Sequence, residues 1–390
     1  MSNKPLLSIV IPTKNRYNYL ENLLSSLLEN PHKNFEIIVS DNSDNNSEFL
    51  AFIDNYQHDN RLNYFYYSGW LSVVDNCNLG VERASGEFVC MLGDDDGILI
   101  DNCLSLCLFL LNNSLDAALV NVIPYSWPDI THAIWGSALS GKFENKTYTY
   151  KAFKLTTEKE LKKVCNEGGA FGLGKLPKIY QGLISRRKLC ELKKETNTYF
   201  PGPSPDMGNA VGISKYINQY VYVDIPCIIS GQSYKSTGGQ GSRKKHHGDI
   251  DEQKFLPKNT KQEWTKEIPL FWAGPTIYSE SASKALIKTK NYNFSLNYLY
   301  LYACCLIYEK NYTSTVIEKM YERKTFFQKV GISVRVFGFV SFIIVKRSIN
   351  YIKNIYKYKI SNKKFTKSND IKETILILNS KYQNISIELK

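Results

Sequence analysis

Through the first third of the chain, short unbroken apolar runs alternate with stretches in which apolar residues recur every three or four positions. Leu6 to Ile11 (LLSIVI) is a continuous β-rich run ended by Pro12, the pattern of a strand buried on both faces. Tyr17 to Leu28 then places Leu20, Leu23, Leu24, Leu27 and Leu28 at helical spacing, and Asn30-Pro31 closes the helix. Phe35 to Ser40 predicts a second buried strand, ending on Asp41-Asn42-Ser43. The alternation continues with a helix over 47–56, a strand over 62–67, a helix over 73–84, a strand over 89–92, a helix over 104–111 and a strand over 117–123. Strands separated by helices predict an α/β domain with a mainly parallel central sheet. Right-handed crossovers bring the ends of such strands to one edge, where open α/β sheets bind ligands.

The pattern weakens over 124–178, which mixes aromatics, glycines and lysines without a sustained period, as loops that shape a binding site do. It returns as a strand over 179–185, a basic helix start at Arg186-Arg187-Lys188, and a Pro/Gly-rich turn that delivers Asp206 to the start of an apolar helix. Residues 220–229 predict another strand, and residues 260–325 are mostly helical, with Cys304-Cys305 expected as small buried residues. The division that follows is 1–125 and 126–255 as the two halves of the α/β domain, 256–329 as a helical appendage, and 330–390 as a basic, aromatic C-terminal segment.

Composition changes the picture at the C-terminus. The chain has 390 residues and a net charge of +12, and residues 310–390 hold 17 Lys and Arg against 5 Asp and Glu, so the whole excess lies there. Within it, Val330 to Val345 is a 16-residue apolar stretch interrupted by Arg335. That is shorter than the roughly 20 residues a spanning helix needs. Tyr and Lys interleave after it, at Tyr351, Lys353, Tyr356, Lys357, Tyr358 and Lys359, which suits an interfacial helix on an anionic membrane surface. Nucleic acid is not expected as a partner, because no helix-turn-helix or zinc-finger pattern accompanies the basic residues. Nine cysteines without a CxxC pair argue against a disulfide framework or a zinc site and fit a reducing cytoplasm. The N-terminus has no apolar region of signal-peptide length, so a peripheral location on the inner face of the cell membrane is expected.

The candidate chemistry centres on EFVCMLGDDDGIL, residues 87–99. Gly93 breaks a buried strand just before Asp94, Asp95 and Asp96. Three adjacent carboxylates repel one another unless a cation or solvent takes up the charge, and a divalent metal carrying a phosphorylated substrate would do so. A solvated acidic turn is the plain alternative. No GxGxxG or GxxxxGK loop is present to cradle phosphates. The loop 232–242 and the residues after it carry Lys235, Arg243, Lys244, Lys245, His246 and His247, which could steady a diphosphate or simply be solvated.

In order along the chain, SIVIPTKNR, IIVSDNS, NLGVERASGEF and LGDDD resemble the nucleotide-sugar domain of family 2 glycosyltransferases over about residues 6–125. The resemblance implies a GT-A, Rossmann-like nucleotide-sugar domain with a mainly parallel sheet, followed by a helical C-terminal region. It implies an inverting transferase moving a sugar from a nucleotide diphosphate sugar to a glycan or lipid-linked acceptor in surface polysaccharide synthesis, with Mn2+ or Mg2+. By the same resemblance, Pro12, Thr13, Asn15, Arg16, Asp41, Asn78, Asp94 and Asp95 contact the donor; Asp94, Asp95 and Asp96 are the metal acids, with Asp95 and Asp96 favoured; and Asp206 is the catalytic base. The Arg that many members carry just before Asn78 is Cys77 here, and the family's common DxDD would begin at Gly93. A catalytically idle carbohydrate-binding or scaffold protein is the second reading, and a nucleotidyltransferase a weaker third.

Overall fold

The computed structural model describes residues 4–132, 136–242, 247–360, 365–383 and 385–390. Along the chain run β1 (Leu7–Thr13), α1 (Tyr17–Leu28), β2 (Phe35–Asp41), α2 (Ser47–Asp54), β3 (Leu62–Tyr66), α3 (Val73–Glu82), β4 (Phe88–Met91), β5 (Gly97–Ile98), α4 (Ile100–Asn112), β6 (Ala117–Val120), β7 (Ile123–Ser126), β8 (Lys142–Glu144), β9 (Lys151–Thr156), α5 (Thr157–Asn166), β10 (Gly182–Ser185), α6 (Arg186–Thr196), α7 (Pro205–Ile213), β11 (Gln219–Val223) and β12 (Ile228–Gln232). Helices Gly274–Lys288, Tyr298–Tyr308, Thr313–Tyr321, Phe326–Ile360 and Ile371–Lys381 follow.

The main sheet has the order Glu388–Leu389, β9, β11, β6, β10, β4, β1, β2, β3. Its N-terminal part, β4-β1-β2-β3, is wholly parallel, with Thr13 opposite Asp41 at the carboxyl ends of β1 and β2. Beyond β4 the sheet is mixed, because β10 runs antiparallel to both β4 and β6. Apolar side chains of α1 and α4 cover one face, and those of α3 and α6 the other. Burial on both faces is why these strands read as unbroken apolar runs.

The expected strand over 117–123 is two strands in different sheets. β6 lies in the main sheet and β7 in a second sheet of order Phe365–Lys367, β8, β7, β12, β5. The expected strand over 220–229 divides in the same way into β11 and β12, around Pro226, which cannot donate to a ladder. β6 pairs with β11 and β7 with β12, both parallel, so two neighbouring strands bend together out of one sheet into the next. The second sheet brings β12 against the turn that follows β4.

The C-terminal residues rejoin the core. Phe365–Lys367 pairs with β8 and Glu388–Leu389 with β9. Between them, helix Ile371–Lys381 buries Ile371, Ile375 and Leu378 and packs on α1, where Lys372 Nζ meets Glu29 at 2.5 Å. Helix Phe326–Ile360 packs one face on helix Tyr298–Tyr308 and leaves apolar side chains such as Val334 and Phe337 exposed.

Candidate functional site

β4 delivers its C-terminal end into a turn, Gly93–Gly97, whose three carboxylates are all buried. Each is turned to a different partner. Asp94 Oδ2 accepts from Thr13 Oγ1 at 2.7 Å and from Arg16 Nε at 3.0 Å, while Arg16 Nη2 lies 2.6 Å from Asp94 Oδ1 without a well-directed hydrogen bond. Asp95 Oδ2 accepts from the Ser233 amide at 3.0 Å and its hydroxyl at 2.7 Å. Asp95 Oδ1 has a looser ion pair to Arg16 Nη1 at 3.7 Å. Asp96 is saturated: Oδ2 accepts from the Gly93 amide, and Oδ1 from Gln181 Nε2 at 3.0 Å and the Gly231 amide at 2.9 Å.

Electrostatics follow from that packing. Burial pushes the carboxyls of Asp94 and Asp96 above the ordinary range; Arg16 opposes the rise at Asp94, and the charge of Asp95 adds to both. Burial also works against the charge of Arg16, but Asp94 and Asp95 outweigh it and hold the guanidinium firmly protonated. Arg16 is thus paired with Asp94 and, more loosely, with Asp95. Among the described residues no group of three His, Cys, Asp or Glu side chains converges as a metal cage.

The loop after β12 is built against this turn. A Cβ at position 231 would overlap the carbonyl oxygen of Asp95, so only glycine lets the two backbones touch. Trp127 Nε1 donates to the same carbonyl at 2.9 Å. Gln181 has φ 53, a left-handed conformation unusual for its type, and that bend aims its amide at Asp96 and Ser230. Gln181, Gly231, Ser233 and Trp127 are the site residues that sequence reasoning missed. They lie 32 to 138 positions from the aspartates they bond, Trp127 through the Asp95 backbone carbonyl and the others through carboxylate oxygens.

At the β1 and β2 ends, the structure brings Thr13 and Arg16 to the acid turn, with Pro12 as the penultimate residue of β1. Asp41 is buried, with Oδ2 accepting from the Tyr17 and Tyr64 hydroxyls, both at 2.7 Å, and Oδ1 from the Ser43 amide. Asn15, at φ 57, bonds reciprocally with Asp44. Asn78 stands apart from the acid turn: its amide donates to Val74 and its carbonyl accepts from the Thr198 hydroxyl and the Tyr199 amide, tying α3 to the chain ahead of α7. Lys235 Nζ is 3.5 Å from the Asn15 carbonyl, which places the loop after β12 over β1's end. Arg243, Lys244, Lys245 and His246 lie outside the described residues; His247 is exposed and pairs with Ala273 in a short ladder.

Asp206 opens α7 and is half-buried. Burial raises its carboxyl to about 6, and the ammonium of Lys178 opposes the rise. The Tyr180 ring hydroxyl is pushed well up by burial and then by the charges of Asp96 and Asp206.

Asp41 at the end of β2 and the buried acid turn after β4 thus lie along the carboxyl edge of the parallel part of the sheet. Residues 8–166 match the model of Glycosyl transferase family 2. Over 98 residues the chain is 41% identical to a GalNAc(5)-diNAcBac-PP-undecaprenol beta-1,3-glucosyltransferase of Campylobacter jejuni, covering 24% of this chain and 31% of the relative. It is 30% identical over 95 residues to the putative teichuronic acid biosynthesis glycosyltransferase TuaG of Bacillus subtilis, covering 24% of this chain and 37% of that protein. The matches thus span about a third of these two relatives' lengths. Among solved structures, S. aureus TarS 1-349 in complex with UDP-GlcNAc aligns with a TM-score of 0.48 at 14% identity, over 94% of this chain and 97% of that one.

Proposed function

We propose that the protein is an inverting glycosyltransferase that moves a sugar from a nucleotide diphosphate sugar to a hydroxyl of a glycan or lipid-linked acceptor, at the cytoplasmic face of a membrane, in surface polysaccharide synthesis. The observation that carries this reading is the buried turn Gly93–Gly97 facing Thr13 and Arg16 at the carboxyl edge of a parallel sheet, within the stretch that matches the family 2 model. The Campylobacter jejuni relative, whose name specifies a PP-undecaprenol-linked acceptor, supports the lipid-linked alternative.

Pro12, Thr13, Asn15, Arg16 and Asp41 form the nucleoside and phosphate side in this reading, and Asn78 supports the donor pocket through its hold on residues 198–199. Mg2+ or Mn2+ supplies positive charge to the leaving diphosphate when bound. Such ions take one or two carboxylates and fill their remaining positions with phosphate and water oxygens. The acid turn fits that demand, since Asp94 Oδ1 lacks a directed hydrogen bond and Asp95 Oδ1 has only the longer contact to Arg16. Asp96, with both oxygens engaged, would brace the turn rather than ligate. Arg16 would turn from the acids to a phosphate oxygen as the cation arrives.

Asp206 takes the proton of the acceptor hydroxyl as that oxygen attacks the anomeric carbon on the face opposite the diphosphate, which inverts the centre. A carboxyl raised to about 6 is a stronger base than an exposed one and is still ionised near neutrality. Incubation with UDP, GDP and dTDP sugars in Mn2+ or Mg2+ should give slow donor hydrolysis with one nucleotide class, abolished by EDTA. Hydrolysis of no donor, together with glycan binding that persists in EDTA, would favour the idle carbohydrate-binding reading instead.

A further inference from the structure

Residues Phe326–Lys353 make a helix of 28 residues long and apolar enough, by length and composition, to cross a bilayer. The connectivity of the fold forbids it. After this helix, Phe365–Lys367 pairs with β8, helix Ile371–Lys381 packs on α1, and Glu388–Leu389 pairs with β9. A single crossing would place those C-terminal elements on the opposite side of the membrane from the strands they pair with. Both ends of the helix are therefore on one side.

The helix has two apolar faces. Ile332, Val336, Phe339, Val340 and Ile343 recur at helical spacing and pack on the helix Tyr298–Tyr308. Val330, Val334, Phe337, Ile344, Val345 and Ile352 fall on the opposite side at 100° per residue, and all are exposed, Val334 at 67% and Phe337 at 72%. Charge is arranged about the first face, not the second. Lys346 Nζ reaches Glu167 at 2.6 Å, the Arg347 guanidinium lies 5.2 Å from the Tyr308 ring centroid, and Arg335 and Lys353 project laterally. An apolar stripe facing away from the protein, with Arg335 and Lys353 along one flank, suits one leaflet: acyl chains below, anionic headgroups beside, water and protein above.

We infer that helix Phe326–Lys353 lies in the plane of an anionic leaflet, its Val334–Phe337 face embedded at the boundary of headgroups and acyl chains, and does not span the membrane. This rests on the reading of the protein as working at a membrane, but not on its chemistry. In that posture the α/β body sits on the leaflet with its site held at a fixed height over lipid-borne acceptors.

The test uses full-length protein with sealed phosphatidylcholine vesicles containing about 30% phosphatidylglycerol. Wild type should pellet with them. The double variant Val334→Asp/Phe337→Asp should bind more than about tenfold more weakly, since it exchanges two apolar side chains for charges at the buried face. Its thermal unfolding should match wild type, because neither position touches the body. Ser341→Trp, at the centre of the stripe, should show a blue-shifted fluorescence gain when vesicles are added. Protease added outside the vesicles should remove both an N-terminal and a C-terminal epitope. Failure of wild type to pellet, protection of one epitope only, or a wild-type dimer that the double variant converts to monomer would each overturn the inference. Donor hydrolysis, measured on the same samples without lipid, tests the transferase reading separately.

Discussion

Asp95 has one oxygen fixed by Ser233 and the other held only by a long contact to Arg16, and that asymmetry ranks the three acids. Asp95→Asn should lower Mn2+ affinity measured with UDP present and cut donor hydrolysis by about a hundredfold, whereas Asp96→Asn should act mainly through stability, by loosening Gln181 and Gly231. Arg16 pairs with two of the acids, so Arg16→Met should destabilise the metal-free protein by ~3 kcal/mol in chemical denaturation, and, because Arg16 is also proposed to meet the phosphates, the gain in melting temperature on adding Mn2+ and UDP should be smaller than in wild type. Asp206 gives a pH prediction. Its carboxyl is raised to about 6, so kcat/KM should climb through that pH as the base form appears, and Asp206→Asn should lose this limb and about a hundredfold or more in rate. The folded state holds that proton more tightly than the unfolded chain does. Its contribution to stability is full below about pH 4 and lost as pH rises through about 6, so Asp206→Asn should be more stable than wild type near pH 8, by on the order of 1 kcal/mol. At this scale the sequence exposed the acids themselves, because three adjacent carboxylates after a buried strand are conspicuous. It hid Ser233, Gln181 and Trp127, whose types are ordinary and whose meaning comes only from what they face.

The elements divide by how local their cause is. α1, α3 and the first four strands were legible because each carries its own period and its own stop, and the parallel sheet buries them where the pattern says. The strands expected over 117–123 and 220–229 were legible as extended chain but not as pairs of strands, because a bend between two sheets leaves the apolar run nearly unbroken. β8 and β9 fell inside what read as loop: β8 has only three residues, and β9, whose side chains are mostly exposed or half-buried, pairs with β11 far along the chain. The same non-local logic applies to the C-terminus. Helix Ile371–Lys381 buries three aliphatic side chains worth roughly 2 kcal/mol each, and its flanking strands close the edges of both sheets. Truncation after residue 360 should therefore give a protein that melts at least about 10 °C lower or fails to stay soluble, by circular dichroism or gel filtration, even though the removed residues lie far from the acid turn. Gly231→Ala should be comparably damaging through one methyl, by separating the loop after β12 from Asp95.

At the scale of the whole molecule, the inferred membrane-bound posture combines an apolar contribution from the exposed stripe with a charge contribution from basic residues, and salt separates the two. Raising salt from about 0.1 to 1 M shortens the screening length from about 10 to 3 Å, so vesicle binding should fall but persist, because apolar burial is not screened. Complete release at high salt would leave the exposed stripe without a role. By itself, the sequence determined the α/β architecture of the N-terminal domain, the acids after β2 and β4, and the apolar and basic character of the C-terminal helix, because periodicity, composition and strand ends are properties of neighbouring residues. Only the tertiary structure decided which oxygen of which acid is held, that a glycine far along the chain permits that holding, and that residues 365–390 complete the sheets. These are contacts between segments from about eighty to more than two hundred positions apart, set by sheet topology and close packing, and no local pattern encodes them. The same closure decided that a helix with the composition of a membrane span has both ends on one side.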